Sequence, residues 1–143
     1  MRKLFLDTGY LIALEAVDDR HHQAASAHWE NLTRSLPVLI TTSYIFDEVV
    51  TFFNSRNRHT KAVEIRDLLL GSPTVQLIHI DEALFHEAWQ YFTQHSDKSY
   101  SLTDCASFVV MKRLRIRTAL GFDKHFAQAG FELKPVSSIS MPA

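Results

Sequence analysis

Lys3-Leu4-Phe5-Leu6-Asp7-Thr8 is a short apolar run that ends abruptly in a carboxylate. Consecutive apolar residues closed by a turn-forming polar one read as a strand buried on both faces, as in the centre of a parallel sheet. Ligands of open α/β sheets gather beyond the carboxyl ends of such strands. Asp7 is therefore expected at the lip of the crevice where an α/β enzyme works. The competing reading makes Asp7 a mere N-cap for a helix beginning near Gly9. The stretch alone leaves the two in balance, and three further carboxylates decide between them.

The composition sets the frame. With 143 residues, 46% of them hydrophobic, the sequence suits one globular domain over residues 1–143, able to bury roughly 68–70% of its unfolded surface. A formal charge of −1 excludes bulk electrostatic attraction to nucleic acid but leaves room for local basic patches. Cys105 is the only cysteine, which excludes an intramolecular disulfide and suits a reducing cytosol. Its neighbours Ala106, Phe108 and Val109 mark a buried thiol rather than a nucleophile. No apolar stretch approaches the ~20 residues of a membrane span. Asp7 also interrupts the first apolar run before it reaches the length of a signal peptide. A soluble, cytoplasmic protein without membrane association is expected.

Outward from the first strand, residues 10–14 read as a short buried helix. A second helix over residues 21–34 is expected to carry Ala24, Ala27, His28 and Leu32 on one face. Its histidines lack the i, i+4 pairing of a zinc helix and read as solvated or packing groups. Residues 37–41 form a second strand, and the hydroxyls of Thr42 and Ser43 suit the start of a third helix over residues 44–54. Ile45, Val49, Phe52 and Phe53 make its apolar stripe, and Glu48 is expected on that same side. A carboxylate there is costly unless it is paired or bound to a cation. Arg56, Arg58, Lys61 and Arg66 form the most basic surface, either simply solvated or able to track a phosphate backbone.

The second half repeats the alternation. Residues 75–80 are a third strand, and Asp81 caps a helix over residues 82–94 with Leu84, Phe85, Ala88 and Phe92 as its core stripe. Ser101-Leu102-Thr103-Asp104 fits the pattern [ST]-x-x-[DE] that opens a capped helix. That helix feeds a fourth strand over residues 117–120, parallel to the first, so it must begin at the sheet's carboxyl edge and carry Asp104 there. Asp123 directly follows the fourth strand. Residues 131–136 supply a last edge strand, where Pro135 is tolerated.

Capping explains Asp7, Asp104 and Asp123 one by one, but not their gathering at one edge, and it does not explain Glu48. Close carboxylates repel and raise one another's pKa unless a cation holds them. Oxygen-only ligation selects hard ions, Mg²⁺ or Mn²⁺, and nothing in the cluster offers the sulfur or paired histidines of a zinc site. Such ions activate water and stabilise in-line displacement at a phosphodiester. The absence of a Gly-rich phosphate loop argues against nucleoside-triphosphate chemistry.

Leu6-Asp7-Thr8, Asp47-Glu48-Val49-Val50, Ser101-Leu102-Thr103-Asp104-Cys105 and Phe122-Asp123-Lys124-His125-Phe126, in that order and spacing, resemble the PIN domain. The likeness spans nearly the whole chain and is strongest to the VapC-type toxins of prokaryotic toxin–antitoxin pairs. It implies a three-layer α/β/α sandwich with a central parallel sheet of four to five strands in the order 3-2-1-4-5. It also implies a Mg²⁺/Mn²⁺-dependent endoribonuclease acting on RNA, inhibited by a cognate antitoxin whose tail covers the acidic pocket. The family's catalytic, metal-holding positions fall on Asp7, Glu48, Asp104 and Asp123. Thr8 and Thr103 match the polar positions beside them. One position departs from the pattern: the family often carries Thr or Ser two residues before the last acid, and here stands Gly121.

Two other readings compete. A catalytically inactive PIN-like module that binds RNA or protein would be expected to lose carboxylates, and this chain keeps all four. An aspartyl-phosphate phosphatase with Asp7 as nucleophile needs a second acid where Gly9 stands. Finally, Tyr10 and Leu11 with Phe46, Val50 and Phe53 offer more apolar surface than one core stripe uses, so burial in a homodimer or under an antitoxin helix is expected.

Overall fold

The computed structural model describes residues 2–136. Its strands are β1 (Lys3–Leu6), β2 (Val38–Thr42), β3 (Val75–Ile78), β4 (Thr118–Leu120) and β5 (Glu132–Lys134). They form one parallel sheet in the order β3-β2-β1-β4-β5. The helices are α1 (Thr8–Glu15), α2 (His22–Thr33), α3 (Ser43–Ser55), α4 (His59–Leu70), α5 (Glu82–Gln94), α6 (Leu102–Arg113) and α7 (His125–Gln128). Parallel neighbours need crossovers, and the near-universal right-handed crossover fixes where the helices go. The chain steps one way from β1 to β3 and the other way from β1 through β4 to β5. This puts α1–α4 on one face and α5–α7 on the other, the expected three-layer α/β/α sandwich.

Side chains alternate across β1, so each face of the sheet receives its own residues. Leu6 lines a cavity together with Leu11, Leu14, Trp29 and Leu69 of the first helical layer. Phe5 points the other way, its ring 6.2 Å from that of Phe126, which packs edge-on to Phe108 at 5.1 Å. Phe5, Phe108 and Phe126 are fully buried. β1 is thus covered on both sides, as its unbroken apolar run requires.

Helix starts follow side-chain chemistry. The Thr42 hydroxyl accepts from the Ile45 N–H at 3.2 Å, and the Asp81 carboxylate accepts from the Leu84 N–H at 2.9 Å. Ser43 is diverted to a tertiary role, accepting from the Ile80 N–H at 2.9 Å. Ser101 and Asp104 form a reciprocal capping box, the hydroxyl accepting from the Asp104 N–H and the carboxylate from the Ser101 N–H.

Several surface expectations are corrected. On α2 Leu32 is buried as expected, but Ala25 fills the inner face in place of Ala24 and Ala27, and His28 and Trp29 turn toward Tyr10. The histidines there do pack: the His28 ring lies 2.8 Å from the Tyr10 hydroxyl, and His21 stacks on Phe122 at 4.1 Å. On α3 the stripe is Ile45, Val49 and Phe53, with Phe52 only half-buried. Half of the basic surface is neutralised, with Arg58 on Asp18 at 2.8 Å and Lys61 on Glu15 at 3.2 Å. Arg56 lies 3.8 Å over the Phe52 ring.

The apolar surplus lies only in part where expected. Tyr10, Leu11 and Phe53 are core residues, while Phe46 and Val50 line a groove between α3 and α4. The exposed apolar stripe runs along α5, where Phe85, Trp89 and Phe92 stand outside the core. That helix buries Leu84 and Ala88 instead. Among the described residues no helix is long and apolar enough to cross a membrane.

Phe108→Ala empties the junction of Phe5, Phe126 and Phe131, and should cost about 3–5 kcal/mol in denaturant unfolding. Trp89→Ala on the exposed stripe should cost the isolated chain less than about 1 kcal/mol by the same measurement. Equal losses would mean that the second layer is not the core described.

Candidate active site

The carboxyl edge of the sheet assembles one depression. β1 ends at Asp7, whose backbone N–H donates to the Leu120 carbonyl at 2.9 Å and so locks the end of β1 against the end of β4. Three residues beyond Leu120 the chain delivers Asp123. The α6 capping box fixes Asp104 on the same edge, and α3 brings Glu48 from the end of β2. A cavity of about 330 Å³ is lined by Asp7, Thr8, Gly9, Glu48, Ser99, Ser101, Asp104, Asp123 and His125. All four carboxylates read from the sequence therefore meet in one place.

They do so by different means. Asp7 is buried and occupies the N-cap position of α1, yet its side chain makes no capping hydrogen bond. The cap reading is overturned, and the carboxyl lines the cavity instead. Asp104 serves both ends, capping α6 and facing the cavity. Asp123 accepts from the His125 N–H through Oδ1 at 2.9 Å, a local turn bond that holds it in place.

Glu48 corrects the expectation. It is exposed, not set into the buried stripe, because Ile45, Val49 and Phe53 already fill the inward face. No burial cost attaches to it. The Thr8 hydroxyl donates to Glu48 Oε1 at 2.7 Å and aims it over the cavity. Thr8 thus fills the polar role expected of it. Thr103 does not line the cavity, where the other hydroxyls are Ser99 and Ser101.

Electrostatics follow from burial and crowding. Burial, with smaller contributions from Asp104, Asp123 and Glu48, raises the Asp7 pKa to about 8, against a lowering pull from the Thr8 backbone N–H. Burial also raises Asp104, as does Asp123, while the Ser101 N–H and His125 pull it down. Beside it, burial pushes the Cys105 thiol up to about 11, which leaves it a packing group as expected.

Two residues gain roles from the geometry. His125, in the fourth motif but without a role in the sequence reading, places Nδ1 2.9 Å from Asp104 Oδ2 and 3.3 Å from Asp123 Oδ1. Atoms of Asp104, Asp123 and His125 come within 4.8 Å of one another, close enough to hold a metal ion together. The available signal was a histidine two residues beyond an acid at a strand end. Gly121 sits under Asp7: a Cβ there would lie 3.1 Å from both Asp7 Cβ and Oδ2. The hydroxyl residue common in the family at this position would press on the Asp7 carboxyl.

The raised Asp7 pKa links stability to pH. The folded value, about 8, lies above the unfolded 3.8, so the metal-free fold gains a proton relative to the unfolded chain between those limits. The stability that this one group contributes is greatest below pH 4, falls as pH rises toward 8 and then levels. Asp7→Asn removes that dependence. In EDTA, wild type should lose up to ~1.4 kcal/mol per pH unit relative to Asp7→Asn between pH 5 and 7.5. Parallel urea-unfolding stabilities of the two across this range would refute the assignment.

Comparisons with known proteins show the family. The PIN domain family matches residues 4–132. The chain is 33% identical over 133 residues to the 23S rRNA-specific endonuclease VapC20 of Mycobacterium tuberculosis, covering 92% of this chain and 98% of that protein. The crystal structure of that VapC20, described as a Sarcin-Ricin loop cleaving toxin, superposes with a TM-score of 0.81 at 32% identity, covering 90% of this chain and 95% of that one. FitAcB from Neisseria gonorrhoeae shares the fold at 17% identity, with a TM-score of 0.62 and coverage of 91% and 95%. Sheet order, motif order and these likenesses converge: the chain belongs to the PIN domain family.

Proposed function

We propose that this protein is a divalent-metal-dependent endoribonuclease, the toxin of a toxin–antitoxin pair, with Asp7, Glu48, Asp104 and Asp123 as its catalytic, metal-holding residues. The observation that carries the reading is the convergence of the four carboxylates on one depression. The donor set fits a hard ion: carboxylate oxygens dominate, no thiolate faces the cavity, and a single imidazole is already engaged with two of the acids. Mg²⁺ or Mn²⁺ is accordingly the cofactor proposed. Such an ion, when bound, supplies positive charge for the phosphodiester in the transition state and lowers the pKa of water.

The chain's own residues do the rest. Asp7 and Asp104, the two buried acids, would supply oxygens that hold the cation. Glu48, aimed by Thr8, and Asp123, aimed by the His125 N–H, stand at the accessible rim where they complete the binding of the ion. A rim carboxylate takes the proton of the attacking water. Water oxygen bonds to phosphorus, the bond from phosphorus to the 3′ oxygen breaks, the 3′ oxygen takes a proton from solvent water, and a 5′-phosphate and a 3′-hydroxyl are left.

The substrate is RNA, and the name of the M. tuberculosis relative makes ribosomal RNA the first to test. A toxin of this kind implies a cytoplasmic site of action and a cognate antitoxin covering the depression. The exposed α5 stripe is the better candidate for a homodimer contact than the α3 residues expected from sequence. The catalytically inactive module has nothing in its favour here, since every acid is present and gathered.

Purified protein should cleave RNA only with Mg²⁺ or Mn²⁺. Asp7→Ala and Asp104→Ala should each lose at least ~100-fold while remaining folded, since even partners of metal ligands typically cost 10–100-fold. Cleavage that survives EDTA, or that leaves 2′,3′-cyclic phosphate ends, would refute the proposal.

Mn²⁺ should also raise the melting temperature, its contribution being ~2.7 kcal/mol at a hundred times the dissociation constant. Gly121→Ala, which presses on Asp7, should blunt that rise. An undiminished response in Asp7→Asn would show that Asp7 does not hold the ion.

A further inference from the structure

We propose that His125 is a positioning residue that clamps Asp104 and Asp123 into one arrangement and leaves Asp104 Oδ1 as the oxygen offered to the cation. The inference rests on the metal-nuclease reading above and deepens it. Two separate bonds leave this one residue. Its backbone N–H donates to Asp123 Oδ1 at 2.9 Å, and its ring Nδ1 reaches Asp104 Oδ2 at 2.9 Å. A carboxylate oxygen only accepts, so Nδ1 carries the hydrogen of that contact. The Ser101 N–H donates to the same Oδ2 at 3.1 Å. Oδ2 is therefore committed to two donors, while Oδ1 has no hydrogen-bond partner among the described residues.

The ring is itself held. Tyr100 meets it edge-on, with centroids 5.3 Å apart, and Tyr100 packs edge-on against the buried Phe108 at 5.0 Å. A rigid aromatic wall thus sets the imidazole plane, and the imidazole sets the carboxylate. Donors of this kind fix the rotamer of a ligating group before the ion arrives. With Nδ1 committed to the carboxylate, direct ligation by the imidazole would fall to Nε2 alone. The geometry points to orientation of the acids rather than to a bond with the metal.

The test is Mn²⁺ binding to the full chain, read by calorimetry and by electron paramagnetic resonance. His125→Ala should weaken binding ~10–100-fold. His125→Asn, whose amide can donate from a position close to Nδ1, should recover most of that loss. Circular dichroism confirms that each variant is folded, and the alanine-to-asparagine rescue separates positioning from general destabilisation. The wild-type Mn²⁺ spectrum should show no directly coordinated nitrogen. Unchanged affinity in His125→Ala, no rescue by His125→Asn, or nitrogen coupling lost in both variants would each overturn the proposal. Wild-type protein that binds no Mn²⁺ at all would instead overturn the metal-nuclease reading, and this inference with it.

Discussion

Holding carboxylates together against their own repulsion is the constraint on which the rest of this structure depends. Two unit charges about 4 Å apart repel by ~4 kcal/mol at the effective dielectric of a protein surface. The chain offsets this with donors placed one by one: the Thr8 hydroxyl on Glu48, the Ser101 N–H and His125 ring on Asp104, and the His125 N–H on Asp123. Asp7 is the exception. It lies deepest, no side-chain donor among the described residues reaches it, and burial dominates its raised pKa. Its place is held by the backbone bond to Leu120 and by the absence of a side chain at Gly121. A site at odds with itself in this way depends on stability supplied elsewhere, and the aromatic cluster of Phe5, Phe108 and Phe126 beneath the second layer supplies it.

Much of this was legible in the sequence because the same residues carry local and global signals. The apolar run before Asp7 could only be a doubly covered strand. Thr42, Asp81 and Ser101 mark helix starts by chemistry that needs no tertiary context. Strand order came from resemblance, with parallel pairing and crossover handedness as its physical basis. The acids Asp7, Asp104 and Asp123 were legible because a strand end or a first helical turn has a defined place in a parallel sheet.

What failed was the reading of rotation about a helix axis. One residue is 100° of rotation on a helix, so on α2 a shift of one position exchanges Ala24 for Ala25. On α3 the same uncertainty put Glu48 into the buried stripe when it stands at its margin, so the right residue was chosen for a wrong energetic reason. On α5 it left Phe85 and Phe92 in the core although they face outward. His125 escaped for another cause. Its partner Asp104 is far away along the chain, and histidine fits so many environments that only the fold shows which it occupies.

The bond between the Asp7 N–H and the Leu120 carbonyl has a consequence for how such a protein is made. The first carboxylate leaves the ribosome early and the last only after residue 123, yet the depression exists only when β4 lies beside β1. A nascent chain that carries Asp7, Glu48 and even Asp104 still lacks the strand that completes their alignment. Pairing of elements so distant in sequence is slow to nucleate, since a long loop must close first. Synthesis and assembly of the depression are thereby separated in time: the translating ribosome carries a fragment in which the acids are not yet gathered, and they come together after the central strand has gained its second neighbour.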